Sequence, residues 1–490
     1  MARDRKRFLR GIAVRVSAIS LITGFSVGRA SAQSASSLSP GVREYVRVSA
    51  AVVALEHVRV IDGTGAAPRE NQTVVIANGR IQSITAAETA TVHAGADVLD
   101  LSGYTVIPGL VGMHDHMFYP SGRVPVYNEL AYTFPKLYLA SGVTTIRTTG
   151  SIEPYTDLEL KREIDAGQIP GPTMHMTGPY LEGPGTFTPQ MHVLTGPEDA
   201  SRLVSYWADE GVTSFKAYMH ITPEELSAAV AAAHKRGLKI TGHLCSIGFR
   251  QAADLGIDDL EHGLVVDTEF NPNHVPGVCD NSPTSATIAK LDLQSTAVQA
   301  MIRELTEHHV AITSTLPVFE TFVPDRPPLE QRVLDALLPQ AQIDYLRARI
   351  RVASSPTAIA TGAAVLKKEM DFERTFVKAG GLLLAGEDPT GFGGDLAGFG
   401  DQREVELLVE AGFTPLEAIR ICTYNGAEFL DELESIGTIA PGKSADLVVI
   451  HGDPSRNIDD VEKVEIVFKD GVGYDSAKLI EAVRGQVGLH

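Results

Sequence analysis

Three cysteines are few for 490 residues, and Cys245, Cys279 and Cys422 make an odd set. That count excludes a disulfide scaffold and a cysteine-rich zinc module as the basis of the fold. A cationic surplus is missing as well: 42 Lys+Arg face 61 Asp+Glu, a formal net charge of −19. Neutralising phosphates needs positive charge in excess somewhere, so no nucleic-acid partner is expected. Internal repeats and low-complexity tracts are absent from the central region. What is present is an ordinary globular composition, 44% hydrophobic and 21% charged, neither disordered nor membrane-embedded. The length passes the roughly 250–300 residues at which one core stops growing, which predicts two domains or one barrel with an attached module.

Residues 1–32 read as a secretory signal peptide. Arg3, Arg5, Lys6, Arg7 and Arg10 form a basic start, an apolar run follows from Gly11 to Val27, and Ala30-Ser31-Ala32 supplies a cleavage site. Arg15 and the glycines make that run poor as a membrane span of roughly 20 residues. Arg5-Lys6-Arg7-Phe8-Leu9 is similar to a twin-arginine signal with lysine at the second arginine, which suits export of a protein already folded around metal. The expected location is periplasmic or secreted, with no membrane contact after cleavage. The remaining chain carries 35 basic and 60 acidic groups, a net of −25.

Residues 33–49, Ser- and Ala-rich at their start, read as a linker. From Ala50 the sequence turns to short β-rich runs, Val52 to Val60, Thr73 to Ile76 and Arg80 to Ile84, the last two joined by the hairpin signal Asn78-Gly79. The same texture returns at Gly437 to Ile439, Ala445 to Ile450 and Val464 to Phe468. Neither end can bury a sheet face alone, so residues 50–108 and 436–490 are expected to join in a β-sandwich. Between them, residues 109–435 alternate strands and helices. The candidate strands are Thr105–Pro108, Val143–Thr148, Thr173–Thr177, Thr213–Met219, Lys239–His243, Asp259–Glu261, Val310–Leu316 and Leu382–Ala385. Pro223 to Arg236 is the plainest helix, with Glu224 and Glu225 at its start and Lys235 and Arg236 at its end. Eight such repeats over about 320 residues predict an α/β fold, a (β/α)8 TIM barrel. Asn271 to Ser285 reads as a loop insertion.

Candidate chemistry gathers at the strand ends. His114-Asp115-His116 places two imidazoles on the same side of an extended segment, within reach of one ion. His-x-His arises by chance, but its position raises its weight. Lys216 interrupts an apolar β run, where an unpaired ammonium is costly. His243 and His262 each end a strand beside glycine, and Asp388 follows another. Singly, His243 and His262 are as readily core histidines and Asp388 a helix N-cap. Four histidines, one lysine and one aspartate on five strand ends are harder to attribute to coincidence.

With these residues in view, the chain resembles the amidohydrolase superfamily of metal-dependent hydrolases over nearly its whole length after residue 32. The resemblance is carried by Ile61-Asp62-Gly63-Thr64-Gly65, Pro108-Gly109-Leu110 through His116, Gly142-Val143-Thr144-Thr145 and Gly437 through Leu447. The Phe-Lys-Ala-Tyr and Glu-His-Gly strands make it most similar to the branch of imidazolonepropionase-like proteins and bacterial Xaa-Pro dipeptidases. Thr149 departs from the pattern, since related sequences often carry an acid there. The resemblance implies two divalent metal ions, zinc as first choice, although the ligand types leave the metal open. His114 and His116 would bind the more buried ion and His243 and His262 the more exposed one. Lys216 would bridge them as a carboxylated lysine, and Asp388 would ligate the buried ion and handle protons. Carboxylation turns a cation that the metals repel into an anionic ligand.

The implied reaction is hydrolysis of an amide in an N-acyl amino acid or dipeptide-like small molecule, by water activated between the metals. Tyr218 shares the face of Lys216 and can hydrogen-bond a developing oxyanion, though an ordinary lining aromatic is the alternative. A lactonase or esterase remains open on the same fold. A deaminase generally uses one metal and lacks the bridging lysine, and a non-catalytic binding protein should have lost a ligand. His175, His192 and His220 are further substrate-binding candidates, with Arg147 and Arg250 for a substrate carboxylate if they are not in salt bridges. Cys245 shares the parity of His243 but reads as a small buried residue. A homo-oligomer is compatible with these features.

Overall fold

The computed structural model describes residues 37–121, 126–186, 188–390 and 393–489, so the expected signal peptide lies outside the described residues. The β-rich ends of the chain meet in one sheet. Val52–Val60 pairs antiparallel with Arg69–Ala77, which turns through Asn78 and Gly79 into Arg80–Ala86. Both turn residues take positive φ, 51° and 75°, as an Asn-Gly hairpin requires. Tyr104–Pro108 joins Val52–Val60 on one side and Leu447–His451 on the other, and that strand leads on to Val464–Lys469 and Val472–Asp475. These are hydrogen-bonded neighbours in a single nine-stranded sheet. The sheet curls until Ile81 N–H donates to the Lys443 carbonyl (3.0 Å) and Gly442 N–H to that of Ile81 (2.8 Å). Val53, Leu55, Val74, Ile76, Leu447 and Phe468 fill a core of its own.

Two expectations change. The described part of the 33–49 stretch is folded: Ser39 caps the short helix Pro40–Arg43, and Val46–Val48 pairs with Val472–Asp475. Leu38 and Val42 are buried, which a solvated linker would not allow. Thr105–Pro108, counted among the candidate barrel strands although it lies within residues 50–108, pairs in the terminal sheet. Thr105 to Gly112 is one apolar stretch, and Gly109 divides it. A Cβ at Gly109 would lie 2.0 Å from Thr144 Oγ1, so only glycine lets the chain cross there.

Beyond Gly109 run eight parallel strands: β1 (Leu110–Gly112), β2 (Val143–Arg147), β3 (Thr173–His175), β4 (Ser214–Ala217), β5 (Lys239–Gly242), β6 (Asp259–Glu261), β7 (Ala311–Ser314) and β8 (Leu383–Ala385). β1 to β3 form one sheet and β4 to β8 another, each in sequence order. Hydrogen bonds cross both seams. Gly178 N–H donates to Ser214 O (2.9 Å) between β3 and β4, and Met113 N–H to Ala385 O (2.8 Å) between β8 and β1. The observed strands are shorter than expected, with several functional side chains on the loops that follow them. The expected helix Pro223 to Arg236 runs over Pro223–His234, with a reciprocal cap between Thr222 and Glu225. Two long helices, Pro339–Ser354 and Pro356–Lys378, separate β7 from β8. Residues 476–489 leave the sheet, and Ser476 Oγ donates to the Ala140 carbonyl (2.7 Å). No helix among the described residues is long and apolar enough to cross a membrane.

Candidate active site

Where β1, β4, β5, β6 and β8 end, their following residues converge. His116 Nε2 lies 3.4 Å from Asp388 Oδ1 and His114 Nε2 3.8 Å from the same oxygen, while His262 Nε2 lies 3.8 Å from Asp388 Oδ2. The His243 and His262 rings are edge to face, centroids 4.6 Å apart. Lys216 Nζ donates to His114 Nε2 over 3.1 Å. Lys216 and the histidines His114, His116 and His262 are buried. The structure thus brings together five of the six expected ligands by direct approach, and His243 through its contact with His262.

The far nitrogens explain why the rings face inward. His114 Nδ1 donates to Glu261 Oε2 (2.8 Å) and His116 Nδ1 to the Gly150 carbonyl (3.2 Å). His262 Nδ1 is 2.7 Å from Thr315 Oγ1. A carboxylate or carbonyl accepts only, so the proton of each of the first two rings sits on Nδ1, leaving the His114 Nε2 lone pair to accept from Lys216 and that of His116 to face the site. Glu261 is itself held by Arg147, whose Nη2 is 3.1 Å from Glu261 Oε1 and 3.0 Å from Asp259 Oδ2.

The backbone is unusual at the same places. His262 (φ 68°), Asp388 (φ 57°) and Thr149 (φ 34°) are non-glycine residues in the left-handed region, a cost of order 1–3 kcal/mol each that clusters at functional sites. Thr149, where an acid was the familiar residue, donates its hydroxyl to the Met113 carbonyl (2.8 Å) and so braces the turn before His114. Gly386 admits the His114 backbone, from whose nitrogen a Cβ would lie 2.3 Å.

Burial lowers the pKa of His114 to about 4 and that of His243 to about 3, in each case aided by Lys216. It also lowers His116 and brings His262 well below its usual value, so all four rings are neutral near pH 7. Burial works against the charge on Asp388, and His114, His116 and His262 draw its carboxyl well below the usual range only as protonated rings, a pull that a bound cation replaces when they are neutral. Lys216 falls to about 8 through burial, against the pull of Glu261 and Asp388. Imidazole lone pairs and a carboxylate therefore face one another as acceptors. The ligand atoms of His114, His262 and Asp388 lie within 4.8 Å of one another. Such a set repels itself unless a cation sits among its members, and it fits a divalent metal of the kind that imidazole and carboxylate bind.

A cavity of about 320 Å³ opens onto these groups, walled by Phe118, Tyr127, Tyr180, Tyr218, Phe319 and Phe322. Tyr218 stands edge-on to His243, centroids 5.0 Å apart. Met191 and Asn281 also reach the cavity, the latter from the Asn271 to Ser285 insertion.

The other candidates lie elsewhere. None of His175, His192, His220 and Arg250 is among the described residues lining the cavity. His175 Nε2 is 3.4 Å from Glu432, His192 Nε2 is 3.0 Å from Asp199, and His220 Nδ1 is 3.4 Å from Glu182. Arg250 is paired with Glu269. Each has found a carboxylate partner of its own. Cys245 is buried as expected but bonded to Cys279, which ties the Asn271 to Ser285 insertion to the loop carrying His243. Sequence reasoning gave no role to Glu261, Thr315 or the Gly150 carbonyl. A signal existed for Glu261, since two acids in the three-residue strand Asp259–Glu261 demand a buried cation.

The match to known proteins agrees with this geometry. The sequence matches the model described as "Amidohydrolase family" over residues 105–311 and 340–473. No curated protein sequence matches. Among solved structures, a prolidase candidate from Bifidobacterium longum is 25% identical with a TM-score of 0.63, the alignment covering 88% of this chain and 98% of that one. A Xaa-Pro dipeptidase with methionine bound in its active site is 22% identical, TM-score 0.65, covering 86% and 100%. A bottromycin amidohydrolase is 19% identical, TM-score 0.68, covering 91% and 94%. The last two show likeness of fold. The chain belongs to the amidohydrolase family and is a hydrolase of carbon–nitrogen bonds.

Proposed function

We propose that this protein is an exported, binuclear metal-dependent amidohydrolase acting on an N-acyl amino acid or dipeptide-like small molecule. The observation that carries the reading is the convergence of three imidazole Nε2 atoms on the Asp388 carboxylate, with Lys216 Nζ against one of them, His114 Nε2. The eight parallel strands are read as a (β/α)8 barrel, supported by the hydrogen bonds across both seams, and the terminal sheet as a sandwich. Export is supported by the Cys245–Cys279 bond, since disulfides persist mainly in oxidising compartments. The dipeptide-like class is supported by likeness to a Xaa-Pro dipeptidase.

His114, His116 and Asp388 would hold one divalent ion, His243 and His262 a second, and carboxylated Lys216 would bridge them, with zinc the first choice. Bound there, the metals supply Lewis acidity and an activated water. The protein's own groups do the rest. Asp388 accepts a proton from the attacking water at its carboxylate and returns it to the departing amine nitrogen, so that the amine leaves neutral. The Tyr218 hydroxyl, kept protonated because burial raises its pKa well above its usual value, donates to the carbonyl oxygen as negative charge builds. The aromatic wall excludes water and strengthens both interactions. Glu261, Gly150 and Thr315 orient the rings.

Metal analysis of the purified protein, paired with hydrolysis of a panel of N-acyl amino acids and Xaa-Pro dipeptides, tests the reading. Close to two ions per chain and release of free amine from at least one compound are expected. A metal-free protein that cleaves none of them would overturn it.

A further inference from the structure

Phe319 and Phe322 have a second side. Besides facing the 320 Å³ cavity, both rings line an adjoining concavity of about 510 Å³. Val265 lines this second space and Val266, the next residue, lines the first. The link to the metal-ligating groups is short: the His262 ring stands edge-on to Phe319, centroids 5.6 Å apart. The far wall comes from the two helices inserted between β7 and β8, through Val352 of Pro339–Ser354 and Val365 and Leu366 of Pro356–Lys378. Small residues keep it open. Ala358 and Gly362 lie along one side of the second helix, and a Cβ at Gly362 would come within 3.2 Å of the Phe322 carbonyl. Arg351 is the one charged group among the described lining residues.

We propose that this concavity is a second substrate subsite, which takes a bulky apolar group, aromatic or long aliphatic, on the amide whose scissile bond sits at Asp388. This rests on the amidohydrolase reading. The first cavity is at the small end of the range of ligand sites, roughly 300–1,000 Å³, and a dipeptide-sized group fills it. The second adds apolar volume that such a substrate would leave wet. Burial of apolar surface is worth about 25 cal/mol per Å², so each methylene carried into it should strengthen binding. The two phenylalanines line both spaces, so a group reaching from the first into the second passes beside them.

The test has a binding arm and a kinetic arm on the full-length metal-loaded protein. The neutral fluorophore N-phenyl-1-naphthylamine should bind wild type. Ala358→Phe and Thr361→Phe, which fill the space from two positions on the partly exposed inserted helix, should each weaken it at least tenfold. Ile350→Asn, on an exposed apolar position outside the concavity, should not. Across an N-acyl series from acetyl to dodecanoyl on one amine, kcat/KM in wild type should rise with chain length, and the dodecanoyl-to-acetyl ratio should fall at least tenfold in both filling variants. Thermal melts confirm that each variant is folded, and two positions guard against one failing. Probe binding that is lost in Ile350→Asn, or unchanged by both filling variants, overturns the subsite. Probe binding that behaves as expected, with no amide cleaved, overturns the amidohydrolase reading and leaves the pocket standing.

Discussion

Glu387 and Asp388 are neighbours in the chain, both buried, and they titrate in opposite directions. His114, His262 and Asp388 form one cluster, with His116 against Asp388, whereas Asp115 and Glu387, one residue out of step, lie with Asp401 in another. Asp115 and Glu387 thus sit apart from their ligand neighbours, and the same two segments build both clusters. Burial pushes every one of these carboxyls toward the acid form. Around Asp388 the neighbours are imidazoles, and its pKa falls well below the usual value. Around Glu387 and Asp115 the neighbours are other carboxyls, chiefly Asp401, and both pKa values rise well above it. Asp401 itself is pushed by burial to about 7. Equal burial therefore yields a permanent anion on one side and stored protons on the other, and the identity of the neighbours decides which.

The largest expected effect tests that division. Asp388→Asn should lower kcat by about 10³-fold, within the usual range for losing a positioned acid–base group, while circular dichroism and Tm stay near wild type. Asp401→Asn should keep kcat within about tenfold. Equal losses in the two variants would erase the distinction between the clusters. Metal content separates them next. Wild type and Asp401→Asn should each hold close to two ions per chain by elemental analysis, and Lys216→Ala fewer. A single ion in wild type, with Lys216→Ala fully active, would replace the binuclear reading by a mononuclear one. A smaller effect is expected at Glu261→Gln, which leaves an acceptor for His114 Nδ1 but removes the charge. Metal affinity should fall about 10–100-fold, as for other groups that orient a metal-binding histidine, and kcat should recover at saturating metal. No recovery would mean that Glu261 does more than position His114.

Much of this division was legible in the sequence, for a physical reason. His114, His116, Lys216, His243, His262 and Asp388 stand out because polar groups at the ends of apolar strands need an explanation, and strand period alone puts His114 and His116 on one side. The helix at Pro223 and the hairpin at Asn78-Gly79 were readable because caps and turns are local. What depends on distant chain was not. The split of Thr105 to Gly112 at Gly109 is set by Thr144, 35 residues away, and the partners of His175, His220 and Arg250 are carboxylates in other loops. The Cys245–Cys279 bond joins two loops whose approach no spacing announces. The second cluster was invisible for the same reason: the sequence assigns no role to Asp115 or Glu387, and Asp401 comes from the helix Phe399–Ala411.

The smallest effect is a pH slope, and its sign follows from the raised pKa of Asp401. Unfolded, the carboxyl ionises near 3.8; folded, it keeps its proton up to about 7. Its contribution to stability is therefore fully present below the lower value and is lost as pH rises through the higher one. Between pH 5 and pH 8 the Asp401 share of wild-type Tm should therefore decline, while the four histidines and the metals, common to wild type and variant, add slopes of their own. Asp401→Asn cannot release that proton, so its Tm should decline less steeply, and the metal contribution, common to both proteins, cancels in the difference. An equal decline in the two proteins would mean that Asp401 is already ionised in the folded protein across this range. The second cluster would then be anionic like the first, and would need a cation of its own.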